Sequence, residues 1–202
     1  MRRLRDTRLR IQNERGVHGD TMAFGFDSFR GLPEHWRRAP NGTHNPVHIE
    51  RQFLNQGAFN RGGRPPYNDS RVEWVPGWFN ESLAPFLRRH RGAASFVHVD
   101  SDLYSSAKTI LTMLWQDRRL PPGAVLVFDE LLINFPEFMD GEMRALCEFL
   151  AASGRKVRTL GTSASVALAN GDTVLRKIQE QRGGWETPHG GRYRQDAAFV
   201  LE

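Results

Sequence analysis

Cysteine is nearly absent: Cys147 is the only one in 202 residues. An intramolecular disulfide is therefore impossible, and a zinc site built from cysteines is excluded. Lysine is almost as scarce. Lys108, Lys156 and Lys177 are the only lysines, so the 28 basic residues are nearly all arginine. Against 23 acidic residues they leave a formal charge of +5. The arginines fall in ones and twos, as at Arg37-Arg38, Arg88-Arg89 and Arg118-Arg119. No long basic run concentrates charge on one face, so no nucleic-acid partner is expected. Mean hydropathy is −0.54, and no run approaches the roughly 18 to 20 apolar residues a membrane span needs. The basic N-terminus never reaches an apolar segment of the secretory type, and a cytoplasmic location is expected.

Signatures of nucleophilic and nucleotide-triphosphate chemistry are missing too. There is no Gly-x-Ser-x-Gly elbow and no Walker-type glycine loop. Cys147 lies inside an amphipathic segment and reads as a core residue. The seven histidines lack the close pairing expected of metal ligands on one helix. His98, in the middle of a strand, reads as a satisfied, partly buried side chain.

What the chain does contain is an alternation of short apolar strands and amphipathic helices, read as a single domain over residues 1–202. Residues 1–20 offer at best one weak helix. Strands are expected at Met22–Phe26, Val72–Val75, Ala94–Val99, Ala124–Phe128, Val157–Leu160, Ser165–Leu168 and Ala197–Leu201. Helices are expected over Glu81–Arg89 behind an Asn80 N-cap, over Ala107–Asp117 behind Ser105 or Ser106, and over Glu142–Ser153 before Gly154. Between Glu34 and Asp69 the composition turns to Pro, Gly and Asn. This segment reads as a long loop or lid, with one helical turn around Ile49–Leu54. Gly183–Gly191 is loop-like. The pattern predicts an α/β fold with a mostly parallel sheet.

In such sheets ligands gather outside the carboxyl ends of the strands. Three strands here finish in acid: at Asp27, at Asp100 with Asp102, and at Asp129 with Glu130. A single aspartate after a strand is ordinary turn chemistry. If the last two strands are neighbours, however, their ends lie about 5 Å apart and several carboxylates share one small volume. Like charges at that distance repel unless a cation neutralises them. A hard divalent ion such as magnesium is the natural solution; structural capping is the alternative.

Four ordered blocks then carry a family resemblance: Phe24-Gly-Phe-Asp-Ser-Phe-Arg-Gly-Leu-Pro-Glu34, Val75-Pro-Gly-Trp-Phe79, Phe96-Val-His-Val-Asp-Ser-Asp-Leu-Tyr-Ser-Ser106 and Pro122-Gly-Ala-Val-Leu-Val-Phe-Asp-Glu130. Together they resemble the macrocin O-methyltransferases, class I enzymes that use S-adenosylmethionine. The resemblance implies a Rossmann-like methyltransferase sheet. It implies that Asp27 receives the cofactor ribose hydroxyls with Ser28 beside it, and that Gly77, Trp78 and Phe79 approach the adenine. It also places Asp100, Asp129 and Glu130 where relatives hold magnesium, with Asp100 at the chemistry. The implied partner is a small-molecule or sugar acceptor bearing a hydroxyl; a homo-oligomer is left open.

One expected element is not legible. In class I methyltransferases a first strand and glycine-rich loop precede the Asp27 strand by roughly 20 to 30 residues, the span of a βαβ unit. Residues 1–21 offer only Gly16 and Gly19. The chain therefore reads as starting after that element. Two other functions stay open at this point: an inactive truncated remnant, and a metal-dependent glycosyltransferase that uses Asp100-Ser-Asp102 to hold a cation and a diphosphate.

Overall fold

Two parallel strand pairs set the frame. β1 (Ala23–Asp27) pairs with β4 (Val72–Pro76), and β5 (Phe96–Val99) pairs with β6 (Val125–Phe128). The computed structural model describes residues 22–37, 53–64, 69–129, 131, 141–162 and 197–202. The helix expected within residues 1–20, the strand at 165–168, the loop at 183–191 and Glu130 lie outside the described residues; of the helical turn expected around Ile49–Leu54, residues 49–52 lie outside them and Phe53–Leu54 form a strand instead.

β5 and β6 belong to a four-stranded sheet in the order β5-β6-β8-β7, where β7 is Val157–Thr162 and β8 is Ala197–Leu201. β8 runs antiparallel to both neighbours. The chain is thus a mixed α/β fold, parallel at the strand pairs that carry the acids and antiparallel at its C-terminal strand. Val99, Leu126 and Phe128 have no measurable exposure, as fully apolar central strands require.

Three helices cover these strands among the described residues: α1 (Phe79–Arg89), α2 (Tyr104–Gln116) and α3 (Glu142–Ser153). Ser82, Leu83, Phe86 and Leu87 make the buried stripe of α1. The ring of Phe86 meets Phe24 and Phe26 of β1 edge-on, with centroids 4.7 and 4.9 Å away. On the opposite face of β1, Gly25 lies beneath the Trp74 indole. A Cβ there would sit 2.5 Å from the ring, so any larger residue would force the indole to move. α3 ends as its sequence indicates, with Gly154 at φ 66° in the left-handed conformation.

Two helix starts differ from the sequence reading. α1 begins at Phe79, behind Trp78, and α2 begins at Tyr104, behind Leu103; neither has a side-chain cap. Asn80 therefore lies inside its helix, and the Ser105 hydroxyl bonds the Glu34 carboxylate instead. At the other end of α1 a buried arginine takes the capping role. Arg119, 7% exposed, donates from Nη2 to the Leu87 carbonyl at 3.1 Å and from Nη1 to the Arg91 carbonyl, and pairs with Asp117. Cationic donors at a helix C-terminus satisfy its orphan carbonyls and oppose its dipole.

The described parts of the 34–69 segment are more ordered than a loop reading implies. β2 (Trp36–Arg37) and β3 (Phe53–Leu54) form a short antiparallel ladder. The amide of Leu32 bonds the Ala58 carbonyl, and that of Gly57 bonds the Leu32 carbonyl, each at 2.9 Å. Leu32 and Trp36 are buried in a small cluster with Leu103, the residue that follows the Asp100–Asp102 acids. The stem of this segment is thereby docked beside the acidic strand end.

Candidate active site

The carboxyl ends of β1 and β4 bring four of the five expected cofactor residues together. Asp27 pairs in register with Pro76, and the Gly77 amide donates to the Asp27 carbonyl at 3.0 Å. Gly77 has φ 127°, open only to glycine, and this lets the chain turn directly from β4 into α1. Next to it lies a crevice of about 300 Å³ lined by Ser28, Arg30, Pro76, Gly77, Trp78 and Glu81. Oδ1 of Asp27 accepts the Phe29 amide at 2.7 Å; Asp27 stands beside the crevice and is not among its lining residues. The Ser28 hydroxyl is engaged in its own turn, donating to the Gly31 carbonyl at 3.2 Å and accepting from the Arg30 amide at 3.1 Å. Phe79 does not line the crevice; it packs against the core. Arg30, which lies in the first motif block without an expected role, and Glu81, outside every block, also line it.

The second half of the site lies at the ends of β5 and β6. These strands are neighbours, as the acid clustering required. Val99 is opposite Phe128, and the Asp129 amide donates to the Val99 carbonyl at 3.1 Å. Asp100 and Asp129 thus leave adjacent strands side by side. Protein atoms crowding the strand end, and then the charges of Asp129, Asp102 and Asp27, push the Asp100 carboxyl up to about 6 from its ordinary 3.8. Asp100 keeps a solvent-exposed side, so water screens part of this repulsion.

Oxygen donors of this kind suit a hard cation, and magnesium commonly takes only one or two protein carboxylates, with water and substrate completing its shell. Asp100 and Asp129 fit that donor set. Among the described residues no group of three or more His, Cys, Asp or Glu side chains is placed to hold a metal. Glu130, the third expected ligand, lies outside the described residues.

Residues 11–153 of this chain match the family model of the macrocin-O-methyltransferases (TylF). The chain belongs to the macrocin-O-methyltransferase family. The matched span contains both halves of the site, from Asp27 to Asp129. The family match favours a methyltransferase over the glycosyltransferase reading of Asp100-Ser-Asp102.

Two solved structures are similar to this macrocin-O-methyltransferase family member. One is the O-methyltransferase NovP, at 21% identity over 72% of this chain and 58% of that one, with a TM-score of 0.46. The other is the apo form of CalS11, a TDP-rhamnose 3'-O-methyltransferase of calicheamicin biosynthesis, at 21% identity over 76% of this chain and 62% of that one, with a TM-score of 0.45. The chain spans about three fifths of the length of each. No curated protein matches it. Among the described residues, no helix is long and apolar enough to cross a membrane.

Proposed function

We propose that this protein is an S-adenosylmethionine-dependent, magnesium-assisted O-methyltransferase acting on a hydroxyl of a small molecule or sugar. The observation that carries the reading is the parallel pairing that sets Asp100 beside Asp129 at the ends of β5 and β6, in a chain whose other parallel pair ends in Asp27 and the Gly77 turn.

Asp27, Ser28, Gly77 and Trp78 would receive the cofactor's nucleoside, Asp27 accepting from ribose hydroxyls while the flat Gly77 turn permits close approach. Asp100 and Asp129, with Glu130, would hold magnesium. Bound at this site, S-adenosylmethionine supplies an electrophilic methyl group, and a divalent ion lowers the pKa of a hydroxyl it coordinates. What the chain itself contributes is placement. Paired strands set both carboxylates side by side, and Leu54 and Ala58 pack on the cluster that holds Leu103 next to the acidic turn, which would help to position an acceptor hydroxyl there. Asp100 is the residue we assign to direct contact with the acceptor or its ion.

Transfer of labelled methyl from S-adenosylmethionine to a panel of hydroxylated glycosides tests this reading. Transfer that stops on chelation and returns with magnesium is expected. A folded chain that binds the cofactor product yet shows identical transfer in chelator would remove magnesium from the account. A folded chain with no cofactor affinity would leave the remnant reading in its place.

A further inference from the structure

The turn that carries Asp100 and Asp102 is not relaxed. Asp102 adopts φ 60°, a left-handed conformation uncommon outside glycine, and the Leu103 amide bonds back to the Ser101 carbonyl at 2.6 Å across a very tight turn. Strain of this kind persists only where the surroundings over-determine it. Three contacts do so here. Val99 is fixed in the core before the turn, and Leu103 in the small Leu32–Trp36 cluster after it. Between them, Ser101 is tied to a residue 41 positions away. Oε1 of Glu142 accepts both the Ser101 amide and the Ser101 hydroxyl, each at 3.1 Å.

Glu142 is the unusual partner. It stands in the first turn of α3 with 1% of its surface exposed. Glutamate is almost never fully buried unless its burial is compensated by hydrogen bonds. A helix N-terminus favours the negative charge, and the two Ser101 donors use it to grip the middle of the acidic turn. We propose that Glu142 is a positioning residue: through Ser101 it holds the Asp100–Leu103 turn in the conformation that sets Asp100 beside Asp129 for cation binding. The inference rests on the reading that those carboxylates hold a divalent ion. It assigns Glu142 no contact with that ion.

Manganese, which is visible by electron paramagnetic resonance, serves as the probe. Its affinity is measured for the full chain and for Glu142→Gln, Glu142→Leu and Ser101→Ala, well below each melting temperature. Partners that orient metal ligands typically contribute about 10- to 100-fold in affinity, so Glu142→Leu is expected to weaken manganese binding by at least about 10-fold. Glu142→Gln keeps an acceptor oxygen at the same place and is expected to stay within about threefold of the parent, with Ser101→Ala between the two. A merely structural Glu142 would lower the melting temperature of the leucine variant and leave manganese affinity unmoved; that result overturns the proposal alone. Should Glu142→Leu not fold, Ser101→Ala decides, since it removes one bond and keeps the carboxylate: unchanged affinity there overturns the role as well. Absence of manganese binding by the parent chain overturns the cation reading itself, and the positioning role with it.

Discussion

Asp129 leaves β6 with its amide bonded to the Val99 carbonyl of β5, one residue before Asp100. That single backbone link makes the two carboxylates neighbours, and repulsion from Asp129 helps to lift Asp100 to about 6. The sequence set these acids 29 positions apart, and only the parallel pairing of two apolar strands unites them.

The raised Asp100 has a definite pH signature. An acid whose folded pKa lies above its unfolded value binds more protons when folded, so stability falls as pH rises through the window from about 3.8 to about 6. In chelator, Asp100→Asn should melt like the parent below that window and at higher temperature above it. Magnesium should narrow the gap, because a cation relieves the repulsion. Thermal melts of both proteins across pH 3.5–7.5 check this; a gap independent of pH would contradict it.

Glu148 gives the opposite sign. Hydrogen bonds from Lys108, Tyr104 and Arg144 hold its carboxyl down at about 2, against an ordinary 4.5. Arg144 also covers the Tyr104 ring at 4.3 Å, so α2 and α3 are joined through one acid. A lowered pKa means stability that is present above about 4.5 and lost as pH falls toward 2. Glu148→Gln should therefore melt lower than the parent at neutral pH, with the difference vanishing near pH 2. Melts in paired buffers measure it.

Arg119 should be costly to remove. Its guanidinium caps the carbonyl end of α1 and pairs with Asp117. Arg119→Leu would leave the buried Leu87 carbonyl and the part-buried Arg91 carbonyl without this donor, at about 1–3 kcal/mol for an unsatisfied buried group. We expect a loss of about 2–4 kcal/mol in urea unfolding, with cofactor affinity retained at temperatures where the variant is folded.

Gly25 should not tolerate a methyl group. The Trp74 ring occupies the place where a Cβ would lie. Gly25→Ala is expected to destabilise by about 1–3 kcal/mol through overpacking. The Trp74 indole must shift, so a change in tryptophan fluorescence should accompany the loss.

Much of this was readable in the sequence because local pattern and tertiary role agree. Val125–Phe128 is apolar on both faces and is a central strand; Glu142–Ser153 repeats its apolar residues at helical spacing and stops at Gly154. The strand-end acids are legible as a candidate site, and the pairing of β5 with β6 sets Asp100 and Asp129 side by side. Three features were not readable. The helices start at Phe79 and Tyr104, one residue before the expected Asn80 cap and the Ser105 cap candidate, and the Ser105 hydroxyl bonds Glu34 instead of capping. Trp36 and Leu54 pair across a Pro- and Gly-rich segment with no strand periodicity to announce them. Glu142 carries no local signal beyond its place at the start of a helix, and its bond to Ser101 joins residues that only the packed fold brings together.

The most direct test of the central claim is a calorimetric titration of the 202-residue chain with S-adenosylhomocysteine in magnesium. The account predicts one-to-one binding in the micromolar range, abolished by Asp27→Ala in a variant that still melts cooperatively. A folded parent chain that takes up no ligand, or an Asp27→Ala variant that binds as well as the parent, would contradict it.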